Sequence, residues 1–437
     1  MKRALLTFVL LASFTALPAQ EAGTSAKSAE SKEVIKKGFS FGGIPIVAFD
    51  QDKGFQYGLM CNIYDFGKGE WYPNPRQQVY LEASWFTKGS QLYTLTYDNR
   101  FLIPGVRFSF AAQFINDKGL DFFGFNGYQS YYDASLPSAY YRMSRKLPVG
   151  KIDFTGTITK HLYWKFGYQF KYFILDEFED AEGKLAEMPY QFSLYKWYQE
   201  LGLICADEAH GGMSSAWRAG LMYDSRDVEN SPSKGIWAEA SFEYAPAWMG
   251  TNKPYGKYYA AFRHYVPIPN DKLVFAMRGN IQGYTGTPAF YMLPFDSVIG
   301  PSYDKDGFGG YRTVRGVMRN RIQGRSVCYF NTELRWKFIN FTVAKQNISL
   351  GLNAFFDGGK VLQEYETGWN SIDQLSPVVP DQLRNFGKNA EAFHLAAGAG
   401  FRFIMNKNFI IAVEYGKPFN SQDNAKGAFY VNTGYLF

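Results

Sequence analysis

Residue types able to do chemistry are present in this chain, but few are spaced to do it. Its 437 residues hold four histidines, His161, His210, His264 and His394, far apart and without a His-Glu-x-x-His pair that would set two imidazoles on one helical face around zinc. There is no Gly-x-Ser-x-Gly nucleophile elbow and no Walker A run to cradle phosphates. Asp304-Lys305-Asp306-Gly307 has the opening of a calcium loop but lacks the third ligand and the closing glutamate, and it reads as a solvated acidic turn; Asp224, Asp227 and Glu229 read the same way. Cys61, Cys205 and Cys328 are odd in number and widely spaced. They give no metal or disulfide framework, and Cys61 and Cys328 fit strand-like runs as small hydrophobes. The expectation is a protein that is not an enzyme and uses no cofactor or metal.

One charged residue stands out by its setting. Arg315 lies between Val314 and Gly316 in Gly309-Gly310-Tyr311-Arg312-Thr313-Val314-Arg315-Gly316-Val317. An arginine beside glycine at a loop tip is ordinarily solvated. Here the connection, 285–324, is about forty residues long, more than a passive link needs. What Arg315 can reach depends on the elements that carry this loop.

Composition narrows those elements. Lys and Arg number 46 against 40 Asp and Glu, a formal charge of +6, and two of the positives, Lys2 and Arg3, fall in a segment expected to be removed. No block of basic residues occurs, so nucleic acid is not an expected partner. Aromatics make up 19% of the chain, yet mean hydropathy is only −0.27. A helical membrane protein would show runs of about 18 or more apolar residues, and none follows the N-terminus. A content of 46% hydrophobic residues also excludes a disordered chain.

Residues 1–20 read as a secretory signal peptide: Met1-Lys2-Arg3 is a short basic start, Ala4 to Ala12 an apolar core, and Ala16-Leu17-Pro18-Ala19-Gln20 a cleavage region of small residues. Residues 21–37 read as a short polar linker. From 38 to the end the period is two. Cys328, Phe330, Thr332, Leu334, Trp336 and Phe338 share one face, while Val327, Tyr329, Asn331, Glu333, Arg335 and Lys337 share the other. The alternation recurs at 347–357, 394–404 and 409–415. These runs are about ten residues or longer, with aromatic ends, the length a tilted strand needs to cross a bilayer between aromatic girdles.

Sixteen such runs are predicted, near 38–49, 53–66, 76–88, 90–103, 105–117, 139–160, 161–175, 214–225, 234–247, 255–267, 273–284, 325–338, 347–361, 392–404, 408–417 and 426–437. The run 139–160 exceeds one crossing and suggests a bulge. With the first strand rising from the periplasm, 118–138, 176–213, 285–324 and 362–391 become outer loops, and the inner turns are short. The fold class is therefore all-β, a sixteen-stranded antiparallel transmembrane barrel over 38–437. In the last run Phe429, Val431, Thr433, Tyr435 and Phe437 fall on one face. That aromatic-ended strand resembles the recognition signal that outer-membrane barrels present to their assembly machinery.

Several motifs then occur in order. They are Tyr223-Asp224-Ser225-Arg226-Asp227 with Ser231-Pro232-Ser233-Lys234-Gly235, the Val314-Arg315-Gly316-Val317 tip, Asn331-Thr332-Glu333-Leu334-Arg335, Phe356-Asp357-Gly358-Gly359, and Gly398-Ala399-Gly400-Phe401-Arg402. Together they resemble the BamA/TamA-like outer-membrane assembly-factor superfamily, the bacterial surface antigen barrel, with Val317 where the family has an aromatic residue. The likeness covers 215–437 in motifs and 38–214 in character.

The resemblance implies a sixth outer loop folded into the lumen as a plug, with Arg315 against a wall carboxylate. Parity makes Asp357 the first choice and Glu333 the second. Only 21–37 precede the barrel, so the resemblance implies a member without POTRA modules. Its implied work is insertion or translocation of outer-membrane or surface proteins, with outer-membrane lipids, unfolded clients and an assembly complex as partners. A seam between first and last strands, weakened by Gly38, Gly42, Gly43, Pro45, Gly427 and Gly434, would open to template a client strand, while the same residues read equally well as plain strand interruptions. The alternatives are a passive channel for small solutes and a receptor-type structural barrel.

Overall fold

The computed structural model describes residues 37–50, 54–70, 75–180, 182–188, 191–228, 231–270, 272–296, 299–300, 305–343, 346–367, 381–405, 409–433 and 435–437. Residues 1–20, expected as a signal peptide, the part of the expected linker up to residue 36, Glu229, Asp304 and Gly434 lie outside these.

Alternating side chains build sixteen strands. The first four are β1 (Phe39–Asp50), β2 (Gly54–Asp65), β3 (Gln77–Phe86) and β4 (Gln91–Ile103). Next come β5 (Val106–Asp121), β6 (Arg142–Thr157), β7 (Leu162–Glu177) and β8 (Gly211–Asp224). The third group is β9 (Gly235–Ala245), β10 (Tyr255–Pro267), β11 (Leu273–Gly286) and β12 (Ser326–Val343). The last is β13 (Gln346–Gln363), β14 (His394–Met405), β15 (Phe409–Pro418) and β16 (Ala428–Thr433). Each pairs antiparallel with its sequence neighbour, in one sixteen-stranded sheet ordered from β1 to β16. β1 and β16 approach with Cα atoms within 8 Å, but among the described residues no hydrogen-bonded ladder joins them.

The two faces differ as a membrane barrel requires. Leu59, Leu221, Phe242, Leu334, Trp336 and Phe401 are exposed on the outside, while the opposite parity carries buried Asp153, Arg218, Glu239, Glu333, Asp357 and Arg402. Lipid accepts the first set and an internal polar filling the second. The inside is uneven. Inward-facing Gln56, Met60, Asn62, Gln78, Tyr80 and Glu82 of β2 and β3 are only half-buried, whereas the inner faces of β6 to β15 are largely covered.

The expected strands match these bounds within a few residues, with three differences. The irregularity expected in 139–160 lies on the neighbouring strand: β5 carries an extra residue between Asp117 and Leu120 opposite Arg145 and Met143 of β6, while 138–141 form a 3-10 turn. β12 and β13 run to 18 residues each, with a register shift at Lys337–Ile339, after which residues 339–343 of β12 are exposed on both faces. β16 ends at Thr433, short of the expected 437.

Between β8 and β9 the inner turn is held by its own acids. Arg226 grips Asp224 through Nε (2.9 Å) and Nη2 (2.7 Å). Asp227 accepts from the backbone N–H of Val228 (3.0 Å), Ser233 (2.9 Å) and Lys234 (3.3 Å), and from the Ser233 hydroxyl. Partial burial opposes its ionisation, but these donors outweigh burial and hold Asp227 below the usual carboxylate range. Its contribution is therefore present above the unfolded-state pKa and is lost as pH falls through the folded one. Asp227→Asn should cost about 0.5 kcal/mol in urea unfolding from detergent micelles at neutral pH, a value reduced because solvent screens this exposed carboxylate, and the difference from wild type should vanish in acid.

Outer loops cover one mouth. The connection after β7 carries α1 (Leu194–Glu200), capped by Ser193, whose hydroxyl accepts from Lys196 N–H at 3.2 Å. Tyr195 and Tyr198 of α1 pack with Phe122 and Phe125 of the loop after β5 and Phe290 of the loop after β11.

Candidate functional site

The loop between β11 and β12 enters the lumen and is fixed to its wall at two places. At its tip, Arg315 is fully buried. Its Nε donates to Asp357 Oδ2 at 2.7 Å and its Nη2 to Asp357 Oδ1 at 2.9 Å, a bidentate pair, while its backbone N–H donates to the same carboxylate at 3.1 Å. Nη1 donates to Glu333 Oε1 and, at 3.1 Å, to Glu414 Oε1. The guanidinium lies 3.6 Å from the centroid of the Phe355 ring.

Two further arginines complete the cluster. Arg335 Nε donates to Glu333 Oε2 at 2.6 Å, and Arg402 Nη2 to Glu414 Oε1 at 3.0 Å. Three guanidinium groups thus meet three carboxylates, Glu333, Asp357 and Glu414, in a formally neutral set. The strand period explains the assembly: Glu333 on β12, Asp357 on β13, Arg402 on β14 and Glu414 on β15 all point inward, and Arg315 descends among them. Desolvating so many charges cancels most of their attraction, so the cluster's main product is position. The loop tip has one place to sit.

Glycine makes that place reachable. Gly316 has φ of 96°, and a Cβ on it would lie 2.8 Å from Gly416 C and 2.9 Å from Lys417 N of β15. A Cβ on Gly416 would in turn lie 2.9 Å from Arg315 C and Gly316 N. Backbone rests on backbone, with a glycine on each side. Gly316 N–H donates to Tyr430 Oη of β16 at 2.9 Å, so the tip also holds the last strand. Val314 is buried among Phe308, Val317, Ile322, Val327, Tyr329 and Val361.

The second attachment draws on strands β6 to β12. Phe295–Asp296 form a two-residue ladder with Lys305–Asp306. Lys257 Nζ (2.6 Å) and Gln282 Nε2 (2.7 Å) both donate to the Phe295 carbonyl, and Tyr329 Oη donates to Asp296 Oδ2 at 2.8 Å. Lys165 Nζ donates to Ile299 O at 2.6 Å while paired with Glu239. Gly300 N–H donates to Asp153 Oδ2 at 3.1 Å, and Arg218 and Lys151 neutralise that aspartate. This attachment had no motif to announce it.

The chain's last residues depart from the expected single face. Phe429 and Val431 are exposed on the lipid side, but Leu436 and Phe437 are buried against Tyr265, Val274 and Ala276. Arg335 Nη2 donates to Phe437 O at 3.0 Å, and the Arg335 and Arg402 guanidinium groups each lie 4.4 Å from the centroid of the Tyr435 ring. Beyond Thr433 the chain leaves the sheet, so strand parity no longer governs it.

Sixteen inward–outward alternating strands and a long loop pinned inside define a transmembrane β-barrel of the internally plugged kind. The chain belongs to the Omp85 superfamily, whose domain model matches residues 77–437. Members of that family are outer-membrane β-barrels. In structure it is similar to BamA from Haemophilus ducreyi lacking POTRA domains 1–3, with TM-score 0.56 and 16% identity over 91% of this chain and 70% of that one. It is also similar to CdiB from Escherichia coli, with TM-score 0.55 and 10% identity over 92% of this chain and 62% of that one. This chain thus spans less than two thirds of the CdiB chain. No curated protein sequence matches it.

Proposed function

We propose that this barrel assists the insertion or translocation of outer-membrane or surface proteins, with the β1–β16 seam as its working edge and the loop tip as the clamp on one side of it. The observation that carries this reading is the double hold of the tip: Arg315 on three wall carboxylates and Gly316 on Tyr430 of β16, beside a seam without a described ladder. An unpaired strand edge offers backbone donors and acceptors to an incoming strand. Gly42 and Gly43 of β1 bring no side chains to resist it, and Pro45 brings no donor. Unfolded barrel or surface proteins, outer-membrane lipids and an assembly complex are the partners this implies.

A solute channel is the second reading, favoured by the half-buried inner faces of β2 and β3. One experiment separates the two: outer-membrane proteomics after depletion, with rescue by wild type or by Arg315→Ala. Under the assembly reading, other barrel or surface proteins fall about tenfold or more and only wild type restores them. An unchanged proteome rejects it and moves the weight to the channel.

A further inference from the structure

Apart from the Arg315 cluster, the outer loops converge on a second buried polar centre. His394, at the outer end of β14, has no exposure. Its Nδ1 lies 2.5 Å from Asp423 Oδ1 and its Nε2 3.4 Å from Glu391 Oε1. Tyr128 stacks on the imidazole with centroids 3.9 Å apart and donates its hydroxyl to Asp423 Oδ2 at 2.5 Å. Arg321 lies 3.8 Å from Asp423 and donates to Gly127 O and Gln422 O. Glu391 also accepts from the N–H of Tyr128 and of Val361. The centre therefore joins the loops after β5, β11, β13 and β15 to the wall. A proton on each imidazole nitrogen lets both ring contacts run from donor to acceptor. Loss of one leaves a lone pair facing a carboxylate in a site without water access.

A separate carboxyl has the same sense. Glu208, in the loop after β7, is buried and accepts from Phe290 N–H at 3.1 Å and from Tyr365 Oη at 3.4 Å, so it ties that loop to two others. Asp207, Lys253, Cys205 and Tyr291 surround it. Burial pushes Glu208 above the ordinary carboxylate range, against the pull of the Phe290 N–H. A raised carboxyl contributes stability below its unfolded pKa and loses it as pH rises through the folded one.

We propose that the outer cap is a proton-dependent closure: protonated His394, set between Asp423 and Glu391, holds the loops shut and loosens them as pH rises.

The test is amide hydrogen exchange on the full chain refolded in lipid bilayers, corrected for the chemical exchange rate at each pH. Protection at 123–129 and 319–323 should fall about tenfold between about pH 6 and pH 8.5, while β6–β12 stay unchanged. His394→Gln should make the cap as loose at the lower pH as wild type is at the higher. A flat wild-type profile overturns the proposal whether or not the variant folds, and so does an unchanged pH dependence in His394→Gln.

Discussion

Replacing Arg315 with alanine should lower the barrel's resistance to heat and urea by about 3–5 kcal/mol, the usual cost of leaving buried charges without their partner. The variant strands Asp357, loses one of the cations on Glu333 and Glu414, and frees the ring face of Phe355. Arg335 and Arg402 still neutralise Glu333 and Glu414, so the damage should centre on Asp357 and on the loop. Arg315→Lys should recover only a minor part, because an ammonium cannot make the two parallel bonds to Asp357 while also reaching Glu333. Band-shift gels of folded against heated protein, with proteolysis of the 305–325 segment, read both effects. Wild-type stability in the alanine variant would show that the tip is not held by charge.

The second large effect belongs to two glycines. Gly316→Val combines a positive φ that a β-branched residue resists with a Cβ forced into the Gly416–Lys417 backbone. About 3 kcal/mol or more should be lost, from backbone strain together with overpacking at one site. Gly416→Ala should displace the same tip from the other side, since its Cβ meets Arg315 and Gly316. Once either substitution has pushed the tip away, the other has less left to break. The double variant should therefore cost clearly less than the sum of the singles, by about 1 kcal/mol or more in a double-mutant cycle. Additive losses would mean that the two glycines do not share one contact.

Much of this arrangement is legible in the sequence because a strand's period is local. Parity alone sends Glu333 and Asp357 inward, and the resemblance brings Arg315 to them. The same parity also turns Glu414, Arg402 and Arg335 inward, yet it does not say which inward charges meet at one height. That depends on the register between β12 and β15, a property of the sheet. The hold on Phe295 and Ile299 is hidden for a related reason: its donors, Lys165, Lys257 and Gln282, come from three strands, and its acceptors are backbone carbonyls. Alternation places Tyr435 and Phe437 on one face with Phe429 and Val431 only as long as the strand runs on past Thr433, and there the chain has left the sheet. Glu208 and His394 gave no signal, since their partners are supplied by loops distant in sequence.

The two-point attachment of the long loop also has a mechanical consequence. From β6 to β15 the wall is cross-braced from within by ion pairs and carbonyl contacts, so that arc resists bending as a unit. β2 and β3 keep half-buried inner faces and form a softer arc beside the seam. Strain imposed by a bilayer that is too thin or too curved will gather in this compliant arc. Elastic deformation is thereby steered to the seam, and the braced arc keeps its shape while the barrel changes girth.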